Sequence, residues 1–182
     1  MNTSNNKRRK ASIERIENIF MELLENKELD QVSVSDLCKR AHLNRSTFYA
    51  NYNDIYDLAD KLRRKIEMTF TQLYQEEITQ SFNSNDYLKL FRHIRDHQML
   101  YRTYFKLGYD DNYHIIAFDK ELAEEHFQNR FIKYHMEFFR AGITHIIKLW
   151  LKNGCQESPE DMFEIIKSEY QGRDKVIQRT NV

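Results

Sequence analysis

The residues best suited to bind a partner molecule lie in one short run, Asn44 to Tyr52, and in the residues just before it. Arg45 carries a guanidinium group that can form two parallel hydrogen bonds with the edge of guanine, and Thr47 offers a methyl group and a hydroxyl. The hydroxyl and amide side chains around them are of the types that hydrogen-bond phosphate oxygens. The side chains predicted to contact DNA are Ser33, Ser35, Asn44, Arg45, Ser46, Thr47, Tyr49, Asn51 and Tyr52.

Two short predicted helices and the turn between them position these side chains. Ser33 is suited to cap the first helix, Val34 to Ala41, with an acidic residue three positions on as in a capping box. His42 falls in the turn, where His tolerates a positive φ better than most residues other than glycine. Asn44 is suited to cap the second helix, Arg45 to about Tyr52, and its backbone N–H groups then point outward. The spacing predicts a helix-turn-helix whose second helix fits the major groove.

An ordinary helical hairpin with a solvated polar face would show the same spacing. Such a face more often carries Glu and Lys than the Arg, Ser, Thr, Tyr and Asn found here. Residues 1–65 also hold 13 Lys and Arg against 10 Asp and Glu, while the rest of the chain holds 15 against 18. The basic cluster Lys7 to Lys10 is either a solvated terminus or an arm that contacts phosphates. Residue types and charge together favour a DNA-binding helix-turn-helix unit in the N-terminal part of the chain, which we call the head.

The composition predicts an all-α protein. Among 182 residues there are only four glycines and one proline, apolar residues recur at helical spacing, and no alternating strand pattern or internal repeat occurs. There is no signal peptide and no apolar run long enough to cross a membrane, and the two cysteines, Cys38 and Cys155, are far apart in sequence. These features predict a cytoplasmic protein without a disulfide scaffold.

No motif of an enzyme is present. Nucleophile elbows, phosphate-binding loops and dinucleotide fingerprints are all missing, so we expect neither an enzyme nor a cofactor. His93 and His97 share one helical face at a spacing that can bind zinc, but no glutamate follows His93 directly and no cysteine lies nearby in sequence to complete a site. We therefore predict no metal site.

The run from Val32 to Leu58, VSVSDLCKRAHLNRSTFYANYNDIYDL, resembles the DNA-binding region of TetR-family transcriptional regulators. By that resemblance Arg45, Ser46, Thr47, Tyr49 and Asn51 match base- or backbone-contact positions of the recognition helix, and Ser35 matches a phosphate-contact position. The chain departs from the pattern twice. His42 stands where the family has a turn glycine, and the lysine that often opens the fourth helix is missing.

A second stretch, Phe138 to Ile166, is similar to the C-terminal domain of a TetR subgroup common in Firmicutes. The large apolar residues on its first helix are too many for a surface helix, and they serve either a core or an interface. The resemblance implies that this helix and the one from Pro159 form a four-helix interface with a second copy, and a head that reads one half-site needs such a partner. The predicted interface residues are Phe139, Gly142, Ile143, Ile146, Ile147, Trp150, Met162, Phe163 and Ile166.

Aromatic residues with polar tips also predict a ligand pocket in the helical body, although plain aromatic packing explains them equally well. The candidate pocket residues are Tyr101, Tyr104, Phe105, Tyr134, His135 and Phe138.

The sequence thus predicts three segments. Residues 7–53 form the helix-turn-helix DNA-binding domain, residues 54–172 a helical domain for dimerisation and ligand sensing, and residues 173–182 a mobile tail. The predicted function is a homodimeric regulator, most simply a repressor, that binds a palindromic operator in double-stranded DNA and is released by a small-molecule effector. The alternative is a helical protein-interaction module that keeps the head fold without reading DNA.

Overall fold

The computed structural model describes residues 3–73, 87–109 and 131–177. Within these ranges every regular element is a helix, which confirms the predicted all-α class. The sequence also predicts a polar linker from Ser81 to Asn85, a loop from Gly108 to Tyr113 and a helical region from about Glu121. The linker, most of the loop and the start of that region lie outside the described residues.

Eight α-helices and one short 3-10 helix occupy the described ranges. They are α1 Thr3–Asn26, the 3-10 helix Leu29–Gln31, α2 Val34–Ala41, α3 Arg45–Tyr49, α4 Ile55–Leu73, α5 Tyr87–Asp96, α6 Gln98–Lys106, α7 Ile132–Lys152 and α8 Pro159–Ile177. The sequence predicts a break near Asp96, and the break between α5 and α6 falls at the next residue, His97. The apolar pattern predicts the first helix from about Ala11. Helix α1 begins eight residues earlier, because Lys and Arg side chains favour a helix.

The chain forms two compact units. The first unit is Met1–Thr71 with Met99–Tyr113, and the second is Gln72–Gln98 with His114–Val182. The first unit therefore holds α1 to α3, nearly all of α4 and most of α6, and it extends past residue 53, where the predicted DNA-binding domain ends. The second unit holds α5, α7 and α8.

The first unit has one apolar core. Helix α1 contributes residues at helical spacing, α4 contributes a second stripe, and two tyrosines of α6 are fully enclosed. The side chains of this unit that are at most 1% exposed are Ile16, Phe20, Leu24, Leu37, Ala41, Phe48, Leu58, Leu62, Ile66, Tyr101 and Tyr104. Burying one of the large side chains in this set contributes roughly 1.5–3 kcal/mol, so this core fixes the helix-turn-helix on its support.

Polar contacts join the helices of the first unit around that core. The buried Glu17 carboxylate of α1 lies 2.5 Å from Lys65 Nζ of α4. The Tyr109 hydroxyl, just beyond α6, donates to the backbone oxygen of Ala59 in α4 at 2.9 Å. Burial raises the pKa of Tyr109 to about 12, so this hydroxyl keeps its proton, and with it the bond to α4, at neutral pH.

The second unit packs aromatic rings between its helices. Phe91 of α5 meets Trp150 of α7 edge to face, with ring centroids 5.6 Å apart. Helices α5 and α8 are also in contact, and Arg92 pairs with Glu160 at 2.8 Å.

The sequence also predicts a capping box at Ser158 and Asp161, at the start of α8. It is formed: the Asp161 backbone N–H donates to Ser158 Oγ at 3.0 Å, and the Ser158 backbone N–H donates to Asp161 Oδ2 at 3.2 Å. The helix continues to Ile177, past residue 173, where the predicted tail begins.

Candidate nucleic-acid interface

The caps and the turn of the helix-turn-helix form largely as predicted. Ser33 caps α2, and its Oγ accepts from the Asp36 backbone N–H at 3.1 Å. His42 adopts a left-handed conformation with φ 51° and ends α2, while the Leu43 backbone N–H returns to the Cys38 oxygen at 3.0 Å. Asn44 occupies the capping position of α3 without a side-chain hydrogen bond, so its amide group is exposed to solvent.

Helix α3 presents a short outward row. It ends at Tyr49 rather than near Tyr52, so it has five residues. Phe48 is its one fully buried side chain and anchors the helix in the core. Arg45 and Ser46 are exposed, Tyr49 is 56% exposed, and Thr47 is half-buried. The predicted inward and outward positions are therefore the observed ones in α3.

Hydrogen bonds to one another and to neighbouring helices hold the side chains of this row. Arg45 donates from one terminal nitrogen to Ser35 Oγ at 2.8 Å, which joins α3 to α2. Asn51 donates from Nδ2 to the Thr47 oxygen at 2.8 Å, and its Oδ1 accepts from Arg9 Nε at 2.9 Å. These contacts preorganise the row, because each one restricts rotamers before a partner arrives.

Tyr52 does not fit its predicted phosphate contact. The side chain is only 4% exposed, and its ring packs against Phe48 with centroids 5.4 Å apart. Its hydroxyl points toward the Glu17 carboxylate at 3.5 Å. Burial, with Glu17 nearby, raises the pKa of Tyr52 above its ordinary value of 10. The chain turns after Tyr49, and this turn carries Tyr52 into the core.

Two cations beside the row were missed as site residues. Arg9 lies in the basic cluster Lys7 to Lys10, and the contact with Asn51 places it next to α3 because α1 is helical through that cluster. Lys61 of α4 donates to the Asn51 backbone oxygen at 2.9 Å, and its Nζ lies 5.3 Å from the centre of the Tyr52 ring. The basic cluster was the sequence signal for Arg9, whereas nothing in the sequence indicated Lys61.

Acidic side chains near the row are matched by cations. Lys27 lies 2.6 Å from Asp36, and its hydrogen bond holds the pKa of that carboxyl below the ordinary value. The Asn53 backbone N–H and then Lys61 do the same for the pKa of Asp57. Ionised but paired carboxylates repel a phosphate backbone less than free ones, so the face stays open to an anionic partner.

The predicted dimer interface divides between the two faces of α7 and α8. Ile143, Ile147, Trp150, Met162 and Ile166 are buried inside the second unit, so they cannot meet a second copy. Phe139, Ile146 and Phe163 are half-buried, and Gly142 is exposed. The predicted set mixed buried and exposed residues because α7 is apolar on two faces. Periodicity does not say which of these faces is buried inside the unit.

The opposite face of α7 carries a second set of exposed residues, which we call the outer stripe. It consists of Tyr134, Phe138, Ala141, Gly142, His145 and Leu149. Tyr134 is 73% exposed, Phe138 63% and Leu149 51%. The spacing of four, three or four residues along the helix puts the stripe on one side.

The predicted pocket residues divide between the two units. Tyr101 and Tyr104 are fully buried in the first unit, with the half-buried Phe105 beside Tyr104. Tyr134, His135 and Phe138 lie on α7 of the second unit, where their side chains are exposed among the described residues.

The sequence predicts no metal site, no disulfide scaffold and no membrane-spanning segment. His93 and His97 stack with ring centroids 4.2 Å apart, and no group of three His, Cys, Asp or Glu with metal-binding geometry occurs among the described residues. Cys38 and Cys155 are both buried, and neither forms a disulfide bond within the described part of the chain. No helix in the described ranges is long and apolar enough to cross a membrane.

The architecture of a helix-turn-helix head with further helices is shared with solved transcription regulators. The chain is similar to the structure described as dihydroxyacetone kinase operon activator DhaS, with a TM-score of 0.55, 20% identity, and coverage of 91% of this chain and 97% of that one. It is also similar to the fatty acid degradation regulator FadR from Bacillus halodurans, with a TM-score of 0.56, 14% identity, and coverage of 85% and 92%. At these identities the likeness establishes the fold.

One family model matches the C-terminal part of the chain. Residues 83–170 match the family described as transcriptional regulator C-terminal region, a TetR-type domain. This region contains the stretch Phe138 to Ile166, so the match confirms the resemblance drawn from it. The family is one of regulators rather than of enzymes, as predicted. No curated protein sequence matches the chain at a significant level.

Proposed function

We propose that the protein is a homodimeric repressor that binds a palindromic operator in double-stranded DNA through α3 and responds to a small-molecule effector. The observation that carries the proposal is the row on α3. Phe48 fixes the helix from inside, while Arg45, Ser46 and Tyr49 are exposed on the other side. A guanidinium group on such a face is suited to guanine in the major groove, and the hydroxyl groups are suited to phosphate oxygens.

The cations around the row support the proposal independently of base contacts. Arg9 and Lys61 both lie beside Asn51. Together with Arg45 they line the surface from which α3 would approach a duplex. Attraction to the phosphate backbone supplies most of the non-specific affinity of DNA-binding proteins. The protein would act in the cytoplasm, where its DNA is accessible.

The outer stripe of α7 supports the dimer. It presents three large apolar side chains, Tyr134, Phe138 and Leu149, together with Gly142. A Cβ built on Gly142 meets nothing within 4 Å among the described residues, so no packing between them requires a glycine there. A close approach by the same helix of a second copy would use that space, since an isologous interface pairs a patch with itself.

A dimer on an operator excludes other proteins from that DNA, which is why we propose repression. The solved neighbour DhaS is described as an operon activator. The fold therefore does not decide between repression and activation. A reporter gene with the operator inside its promoter distinguishes the two. Higher expression after deletion of the protein supports repression, whereas lower expression overturns it.

Selection from a random DNA library tests the central proposal. We expect an enriched palindrome, and an Arg45→Ala variant should lose about 1–3 kcal/mol of discrimination between that site and a scrambled one. Tyr52→Phe is the matched control, because this buried side chain should leave discrimination unchanged. No enrichment would instead favour a protein-interaction module that keeps the head fold.

The dimer has its own test. A Leu149→Lys variant places a charge on the outer stripe, and analytical ultracentrifugation should show a monomer where the unaltered protein is a dimer at micromolar concentration. Lys152→Gln changes a charge at the end of the same helix and should leave the dimer intact. If the unaltered protein is a monomer, the dimer proposal is wrong.

A further inference from the structure

A cleft in the first unit lies between the C-terminal end of α1 and helix α6. Its volume is about 360 Å³, within the range of small-molecule sites. The lining residues are Met21, Leu24, Glu25 and Asn26 of α1 and Arg102, Thr103 and Lys106 of α6. Only α1 and α6 line it, so it is separate from the predicted aromatic pocket and from the outer stripe.

The lining combines an apolar floor with a polar rim. Met21 and Leu24 are buried and form the floor. Arg102, Lys106 and Glu25 stand at the rim, and the Glu28 carboxylate lies 3.3 Å from Lys106 Nζ. The N–H groups of Arg102 and Lys106 can donate hydrogen bonds to an acid group of a ligand, and the floor favours a ligand with a hydrocarbon part.

Thr103 provides a separate indication of a ligand. Its side chain is only 3% exposed, yet its hydroxyl makes no hydrogen bond within the described part of the chain. A buried hydroxyl without a partner is unfavourable, and native proteins rarely keep one without a use. Thr103 lines the cleft, so a ligand oxygen that reached the floor could supply the missing partner.

We propose that the cleft binds a small organic acid. Its acid group would accept hydrogen bonds from Arg102, Lys106 and the Thr103 hydroxyl, and its hydrocarbon part would lie on Met21 and Leu24. The inference gives the effector of the proposed function a site and a chemical class, and it rests on that function only for the consequence for DNA. Because α1 runs unbroken from the cleft to Arg9, occupancy at one end bears on the residue that holds Asn51 at the other.

The test uses the full chain without DNA. Protein labelled with carbon-13 on its methionine methyl groups is titrated with hexanoate, and with hexan-1-ol as the uncharged probe of equal length. The Met21 resonance is assigned from a Met21→Leu variant. We expect hexanoate to shift this resonance to saturation and to bind at least about tenfold more tightly than hexan-1-ol, because charge-assisted hydrogen bonds are the stronger ones.

Two variants identify the groups that bind. Thr103→Val removes the hydroxyl at nearly constant volume, and Arg102→Gln removes a charge. Each should weaken hexanoate binding by about tenfold or more while the protein stays folded, since replacing an unpaired buried hydroxyl by a methyl group is tolerated. Lys152→Gln is the control for charge alone, because it changes a lysine of the second unit and should leave binding unchanged.

The results separate the two proposals. Saturable binding by the DNA-free protein supports the cleft even if the library selection finds no operator. The inference is overturned if hexanoate leaves the Met21 resonance unmoved, if hexan-1-ol binds as tightly, or if both variants bind hexanoate like the unaltered protein. Gel shifts with the selected operator then add the regulatory result: hexanoate should weaken DNA binding of the unaltered protein but not of Thr103→Val.

Discussion

At the scale of single residues, His42 shows how a local conformation can override a residue preference. The turn of the helix-turn-helix requires a left-handed backbone, and His42 adopts it with φ 51°. Glycine reaches this region without a steric cost, whereas a residue with a Cβ does not. The sequence predicted the conformation because the caps at Ser33 and Asn44 leave only a few residues for the turn.

We expect the usual order of alanine and glycine to reverse at this turn. His42→Gly should be more stable than His42→Ala by roughly 1 kcal/mol, because alanine is strained at positive φ. At the exposed helical position Lys39 the order should be the ordinary one, with alanine more stable than glycine by about 1 kcal/mol. Urea unfolding of the four variants measures both differences. If the alanine variant were more stable than the glycine variant at both positions, the left-handed turn would be contradicted.

The structure gives Arg9, one residue of the basic cluster, a defined position. Its contact with Asn51 places a positive charge beside the exposed row. We expect Arg9→Gln to weaken binding to the operator and to scrambled DNA by a similar factor, about three- to tenfold at low salt, because a phosphate contact carries no sequence information. Fluorescence anisotropy with both duplexes measures the ratio. Loss of affinity for the operator alone would make Arg9 a base contact instead.

At the scale of elements, α7 explains why the predicted interface was only partly right. Its apolar residues fall on two faces, and the buried face includes Ile143, Ile147 and Trp150. Both faces have helical spacing, so the sequence predicted that the helix packs against something without telling core from interface. The buried face is the one that packs against α5, where Phe91 meets Trp150. Such contacts join residues far apart in sequence, so the local pattern does not predict them.

The two faces should respond differently to the same truncation. Ile147→Ala removes a fully buried side chain and should cost about 2–4 kcal/mol of unfolding free energy. Leu149→Ala removes an exposed one and should change the stability of the protomer by less than about 0.5 kcal/mol while weakening self-association. Unfolding of dilute protein and sedimentation at several concentrations separate the two effects. Equal losses of stability would contradict the assignment of the faces.

Helix α5 carries a titrating group in the second unit. Burial, and then the neighbouring His97, lower the pKa of His93 below its ordinary value of 6.5, against a weaker opposing effect of Asp96. As the pH falls, the unfolded chain binds the proton first. The contribution of neutral His93 is therefore complete above pH 6.5 and is lost as the pH falls through the folded pKa.

We expect the melting temperature to fall between about pH 7 and pH 5, and to fall less in a His93→Asn variant. Carboxyl groups with lowered pKa, such as Asp36 and Glu160, titrate at lower pH and do not obscure this window. His145→Asn is the control, since His145 is exposed. The same pH dependence in unaltered protein and in His93→Asn would remove His93 as its source.

At the scale of the whole molecule, the sequence predicted the class of fold because its signals were redundant. Few glycines, helix caps and helical spacing all agreed, and such agreement across levels marks a sequence that specifies one fold. The division into compact units was less predictable. Helix α6 lies some 50 residues after α3 in the chain yet belongs to the unit of the head, where Tyr101 and Tyr104 complete its core.

A dimer with two heads should show a steep response to salt. Each phosphate neutralised by a cation adds about −0.9 to the slope of log affinity against log salt. The monomeric Leu149→Lys variant uses one head, so its slope should be about half that of the unaltered protein. Binding titrations from low to moderate salt give both slopes. Equal slopes would mean that one head alone engages the DNA.

Buried thiols make the protein convenient for distance measurements by spin labelling. Cys38 and Cys155 are both buried. Burial also raises the pKa of the Cys38 thiol, so this thiol reacts slowly with thiol reagents. A single cysteine introduced at the exposed position Ser46 would therefore take up the label without removal of the native cysteines. In a dimer the two labels report the separation of the recognition helices directly. For two half-sites one turn of DNA apart that separation is about 34 Å, well within reach of pulsed electron resonance.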